Sequence, residues 1–238
     1  MKYPMLLVVL LGMTVPTFAA PKCYEKVSIT GYYVVLLSDY NLTETETIPL
    51  GTYNASFVAE VKVKTGGITS DGKNLVFWAG EWSVRDEPLD ASYFPSEVDF
   101  TTTESVTTVE DGKTWTFPRA FVKEVELEGS GKIAEGQYLG WPWDGNWHFR
   151  HQALDDSERP VELGVVATDP KFFNKADPIR VTIDPIPAGF KTNKFWARDK
   201  GPAITDNRID VFSGWGFEDG LQRALNLTSD DNTVCFGS

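Results

Sequence analysis

Histidine and cysteine are scarce in this chain, with two of each. His148 and His151 form an HxxH pair, but zinc takes at least three protein ligands in a defined arrangement and no third is suggested nearby, so no metal centre is expected. No cofactor-binding motif is found either. Basic residues are outnumbered, 22 against 34 acidic ones, for a net charge of -12. That balance argues against nucleic acid and against anionic membrane surfaces, which demand clustered Lys and Arg. Beyond the N-terminus no segment approaches the ~20 apolar residues of a transmembrane helix. No internal repeat, low-complexity tract or clear linker is evident.

What is present points to export. Lys2, the apolar run Met5–Met13 and the small residues of Thr17-Phe18-Ala19-Ala20 read as a secretory signal cleaved after Ala19. A lipid anchor would need a cysteine at the cleavage point, and Cys23 falls a few residues too late, so a soluble, secreted (or, in a bacterium, periplasmic) monomer without a membrane anchor is expected. Cys235 lies near the other end, and in an oxidising compartment Cys23 and Cys235 would tie the ends of the mature chain together; the alternative is two unpaired buried thiols. Asn41, Asn54 and Asn226 each begin a glycosylation sequon.

The chain reads as β-rich. Val27–Leu36 is β-branched and aromatic and forms a first strand with Thr30 and Tyr32 on one face. Ser38–Tyr53 reads as a loop. Phe57, Ala59, Val61 and Val63 alternate as a second strand, and Asn74–Trp82 as another. Phe100–Phe117 is a Thr-rich hairpin turning at Asp111-Gly112. Phe121, Val122, Val125 and Leu127 form an apolar strand that runs into Gly129-Ser130-Gly131, where the glycines permit positive φ or close approach to a ligand. Trp141, Trp143 and Trp147 crowd an irregular loop and are either a stacking platform for sugar rings or buried packing. Leu163–Thr168 is a buried strand closed by Asp169-Pro170, and Ile179–Ile183 a further one. Phe217–Leu227 suits one short helix, and Thr233–Phe236 a last strand.

The stretch Phe195–Phe212 is the chemical centre. An apolar run ends at Asp199, Lys200-Gly201-Pro202 breaks it, and Arg208–Phe212 alternates as a half-buried strand. If the two flanking strands are neighbours in a small barrel, Asp199 and Asp210 open onto one groove. The plainer alternative is a pair of ordinary turn and strand-face aspartates.

These pieces, in their order, resemble the catalytic domain of the membrane-bound lytic transglycosylase A family and the related three-aspartate domain. The pieces are Thr30-Gly31-Tyr32-Tyr33, Gly129-Ser130-Gly131, Val166-Ala167-Thr168-Asp169-Pro170, Asp199–Ile204 and Asn207–Phe212. The chain departs from that pattern at Lys200-Gly201-Pro202, where the family usually has Thr-Gly-Gly after the aspartate. It also lacks a glutamate after Tyr33 and the Pro-Leu-Gly expected near Asp169-Pro170.

The resemblance implies an all-β fold, a double-psi β-barrel from residues 20–45 and 155–238 with a second β region, 46–154, inserted, and one short C-terminal helix. It implies cleavage of a polysaccharide such as peptidoglycan without water. Asp210 matches the family's general acid and base, Asp199 would be the supporting carboxylate, and Asp169 a third acidic position. Thr30, Tyr32, Gly129, Ser130, Gly131, Asp169 and the three tryptophans are the expected substrate contacts. Two alternatives stay open: a glycoside hydrolase using both carboxylates, and a non-catalytic, expansin-like barrel that only binds polysaccharide.

Overall fold

The computed structural model describes residues 21–91, 93–141, 145–201, 204–205 and 207–237. The leader with its cleavage point, Trp143 and Pro202 lie outside the described residues. One long strand, β1 (Lys22–Leu36), runs through the whole architecture. After it come β2 (Thr45–Ile48), β3 (Gly51–Asn54), helix α1 (Ala55–Lys64), β4 (Gly66–Ile68), β5 (Asn74–Trp78) and β6 (Glu81–Arg85). Next are α2 (Glu97–Thr101), β7 (Thr103–Thr107), β8 (Thr114–Pro118), α3 (Arg119–Glu128), β9 (Ser130–Ala134), β10 (Gln137–Gly140) and β11 (His148–Arg150). The chain ends with β12 (Val165–Thr168), β13 (Ile179–Asp184), β14 (Lys194–Lys200), β15 (Arg208–Trp215), α4 (Gln222–Leu227) and β16 (Ser229–Phe236).

Six of these strands close a barrel in the order β1-β15-β12-β14-β13-β16, with β16 pairing back onto β1. The pairs β1/β15 and β12/β14 are parallel and the rest antiparallel, as a double-psi barrel requires. Val27, Ile29, Val166, Val181, Ile183, Ala197, Ile209, Val211 and Val234 fill the interior. They come from alternate positions of each strand, so the period-2 pattern of the sequence is the pattern of this core. Cys23 faces Cys235 across β1 and β16, and the two form a disulfide. By the loop-entropy model a ring of this length contributes roughly 5 kcal/mol. No helix among the described residues is long and apolar enough to cross a membrane.

Between β1 and β12 the structure corrects the sequence reading. Residues 57–63 are helical, within α1, not a strand. Phe57, Val58 and Val61 share one buried face at helical spacing, and the Asn54 side chain caps the helix by accepting the N–H of Phe57 at 3.1 Å. Phe121–Leu127 likewise lies in α3, which ends at Gly129 with φ 79°. Asn74–Trp82 is a hairpin that turns at Ala79-Gly80, and the loop Ser38–Tyr53 contains the hairpin β2/β3. The hairpin β7/β8, the buried β12 and the short C-terminal helix agree with expectation.

The region is also a tandem repeat, where none was expected. Phe57 and Phe121, Val58 and Val122, Glu60 and Glu124, Val61 and Val125, Gly67 and Gly131, Leu75 and Leu139 all lie 64 positions apart. Strand register matches at the same offset: Gly66↔Val76 and Gly67↔Leu75 in the first copy, Ser130↔Gly140 and Gly131↔Leu139 in the second. Each copy is a hairpin, a ten-residue helix and three antiparallel strands, a separate sheet in the first copy and continuous with the barrel sheet through β1 in the second. The copies interlock. The end of β1, entering the first copy, pairs with β9 of the second, and Ser96, entering the second, bridges to Ile68 of the first.

Candidate active site

Asp199 and Asp210 are not on adjacent strands. β12 runs between β14 and β15, and Ala167 pairs with both aspartates. Thr30 pairs with Asp210 from the other side. Thr30, Asp210, Ala167 and Asp199 therefore form one row across four strands. With about 4.8 Å between strands, the two acidic backbones stand roughly 10 Å apart with only a methyl group between them. Asp210, Ala167 and Asp199 of this row line a cavity of about 930 Å³ between the barrel and the second repeat, together with Tyr32, Glu128, Ser130 and Trp141 among others.

Asp199 is fully engaged. Its Oδ2 accepts the hydroxyl of Tyr32 at 3.0 Å, and its Oδ1 accepts the backbone N–H groups of Lys200 and Asp156 at 3.0 and 3.3 Å. Burial, reinforced by the neighbouring Asp156 carboxylate, still pushes it up to about 7. Asp210 is held on one side only. Its Oδ1 lies 3.3 Å from Nε and Nη2 of Arg208, whose Nε also donates to Thr30 Oγ1 at 3.1 Å. Among the described residues no group bonds Asp210 Oδ2. Burial raises Asp210 above the usual carboxylate range while Arg208 opposes the rise.

The loop carrying Asp156 is fixed from below. Arg198, 6% exposed, donates to Asp155 Oδ2 at 2.8 Å, to Glu162 Oε1 at 2.6 Å and to the carbonyl of Pro160 at 2.8 Å. This clamp sets the Asp156 N–H against Asp199. The opposite wall carries an acid that sequence reasoning did not single out. Glu128, the last residue of α3, accepts the N–H of Tyr33 at 3.0 Å. Burial and the adjacent Glu124 carboxylate push it up to about 8. Two buried polar atoms of residues that line this cavity, Ser130 Oγ and Asp156 Oδ2, have no hydrogen-bond partner among the described residues.

Of the other sequence-proposed contacts, Tyr32, Gly129, Ser130 and Trp141 line the cavity. Trp147 stands behind Trp141, ring centroids 4.5 Å apart. Gly131 is covered by Val125 and Phe121, and Asp169 caps the turn Pro170–Phe172 by accepting the N–H of Lys171 at 2.9 Å. His148 pairs with Glu110 at 2.6 Å.

No protein-family model and no curated protein sequence matches the chain. Several solved structures are similar to it. The membrane-bound lytic murein transglycosylase from Agrobacterium tumefaciens is 10% identical, with 91% of this chain and 76% of that one covered at a TM-score of 0.44. MltA from E. coli with bound chitohexaose is 11% identical, with 88% and 70% covered at 0.43. MltA from Neisseria gonorrhoeae is 14% identical, with 88% and 71% covered at 0.39. In fold, the chain is similar to these bacterial lytic transglycosylases.

Proposed function

We propose that the protein is a secreted enzyme that cleaves a glycan strand in the cleft between barrel and insert, by a single-aspartate route ending in an anhydro sugar. The observation that carries this reading is the asymmetry of the two aspartates. Asp199 has both oxygens committed to the protein, whereas Asp210 lines the cavity and none of the described residues bonds its Oδ2. A group that must first give and then take a proton needs such an uncommitted oxygen. An unperturbed aspartate is protonated in about one molecule per thousand at neutral pH, a deficit of roughly 4 kcal/mol; the burial of Asp210 reduces it.

In this reading Asp210 protonates the glycosidic oxygen, and the C–O bond to the leaving sugar breaks. The same carboxylate then removes a proton from a hydroxyl of the sugar left behind, whose oxygen closes the anhydro ring. Asp199, fixed by Tyr32, supports Asp210 from across Ala167. Trp141 offers a ring face, and Glu128, Ser130 and Asp156 offer partners for sugar hydroxyls and amides. Export agrees with the disulfide, which an oxidising compartment favours.

Digestion of purified peptidoglycan followed by mass spectrometry of the fragments tests this. Anhydro ends, lost in Asp210→Asn, are expected. Fragments heavier by one water would instead make Asp199 and Asp210 a hydrolase pair, a reading favoured by their two-strand separation. Saturable binding to peptidoglycan without soluble product, unchanged in Asp210→Asn, would make the barrel a binding module.

A further inference from the structure

The repeat places a second cavity where the first copy has its counterpart of the cleft wall. In the second copy Glu126, Leu127 and Trp141 line the cleft, with Trp147 packed behind Trp141. Sixty-four positions earlier stand Lys62, Val63 and Phe77, and these three line a separate cavity of about 520 Å³. Trp82 packs on Phe77 as Trp147 packs on Trp141: centroids 4.8 Å apart at 47° in one pair, 4.5 Å at 45° in the other. The barrel does not form the far wall here. Its place is taken by the segment Phe217–Asn226, through Phe217, Glu218, Gln222, Leu225 and Asn226.

We infer that this second cavity is a carbohydrate-binding site without catalytic power, which holds another segment of the same kind of glycan that enters the cleft. The inference rests on the glycan reading of the cleft. Phe77, backed by Trp82, on one wall and exposed amides, Gln222 and Asn226, on the other give a pocket that mixes apolar faces with polar groups, as small-ligand sites do. Its volume lies inside the ~300–1,000 Å³ range of small-ligand sites. The acids that the second copy gives the cleft wall, Glu126 and Glu128, are replaced by Lys62 and Lys64, and the carboxylate in this lining, Glu218, comes from the other wall. Lys64 stands where the second copy has Glu128, and it is turned inward, 2.8 Å from Glu60 and 3.5 Å from Glu124. Lys62 at the rim is paired with Glu46 at 2.7 Å. Two sites on one polymer convert the second contact into an intramolecular one, which raises affinity for long strands beyond that for short ones.

Asn226 begins a sequon, so sugar could reach the cavity from a separate polysaccharide or from a glycan attached to Asn226 itself. Thr228→Ala removes the sequon and keeps the amide. Chitohexaose is titrated calorimetrically into Asp210→Asn, Thr228→Ala protein. Two binding events are expected. Phe77→Ala should weaken one of them about 10-fold or more and leave the other. Gln222→Arg, at an exposed helix position, should do the same by obstructing the mouth without touching the packing, which separates loss of a site from loss of the fold. Trp141→Ala should weaken only the other event. A single event, sensitive to Trp141→Ala and indifferent to both Phe77→Ala and Gln222→Arg, overturns the second site while the cleft reading stands. Absence of any binding overturns both. A second event that chitohexaose cannot produce, with the cavity filled only in glycosylated protein carrying Thr228, assigns the site to the chain's own glycan and overturns the inference.

Discussion

Lys64 and Glu128 hold the same position in two copies of one structural unit and carry opposite charge. In the first copy the lysine follows Glu60 by one helical turn and neutralises it at 2.8 Å, and Glu60 and Glu124 together raise Lys64 despite its burial. In the second copy the same turn puts Glu128 after Glu124, two like charges at helical spacing beside a cavity. One substitution thus separates a closed interior ion pair from an acid facing the cleft.

The first prediction is a stability that falls as pH rises. Glu128 is raised to about 8, Glu60 and Asp199 each to about 7, in all three cases first by burial. Unfolded, they would titrate near 4. Between these limits the folded state holds protons that the unfolded state releases, so their stabilisation is complete below pH ~4 and is lost as pH rises through 7 to 8. Melting temperatures measured from pH 4.5 to 8.5 should decline across that window. Glu128→Gln, neutral throughout, should flatten the upper part. A melting temperature that climbs from pH 5 to 8 contradicts the assignment.

A second prediction concerns Tyr32. Its hydroxyl donates to Asp199 at 3.0 Å and so favours the charged carboxylate. Tyr32→Phe should push Asp199 higher still and cost about 0.5–1.5 kcal/mol of stability. Carboxyl carbon NMR titration of wild type and variant reads the shift directly. An unchanged or lowered Asp199 would mean that this hydrogen bond is not formed in solution.

The barrel was legible because its strands alternate: Ile179–Ile183 and Arg208–Phe212 send every second residue into one core. What the alternation does not reveal is strand order, so whether the strands of Asp199 and Asp210 are neighbours stayed a condition of the reading, and in the structure Ala167 lies between them. The insert misled for a local reason. Phe57, Ala59, Val61 and Val63 of α1 fall at every second position, a strand-like spacing, while the cap at Asn54 and the buried face of Phe57, Val58 and Val61 make it a helix. The duplication was hidden by unequal turns, tight at Pro49-Leu50 and longer over 108–113, and by the exchange of Lys64 for Glu128. Comparing the chain with itself at an offset of 64 would have exposed both the repeat and Glu128.

The repeat makes a third prediction, about one matched pair of buried glycines. A Cβ on Gly67 would meet Val61 and come within 2.8 Å of Phe57; one on Gly131 would meet Val125 and come within 2.8 Å of Phe121. Gly67→Ala and Gly131→Ala should therefore destabilise by similar amounts, about 1–3 kcal/mol each, through overpacking. Urea unfolding of both variants measures this. A neutral substitution at one and a severe one at the other would mean that the copies do not pack alike.

The last prediction tests what holds the cleft floor in place. Arg198 and Asp155 are both buried, with Nη2 and Oδ2 2.7 Å apart. The contact to Glu162, whose side chain is 67% exposed, adds little because solvent screens it. Removing the arginine strands the Asp155 carboxylate, so Arg198→Met should cost about 3–5 kcal/mol. Adding Asp155→Leu removes the stranded charge and should recover a large part of that loss. Stability and turnover should then separate. Without the clamp the Asp156 N–H is no longer held against Asp199, so the double variant is expected to melt near the wild type and yet release glycan fragments more slowly. Full turnover in a stable double variant would show that the 155–162 loop finds its position without Arg198.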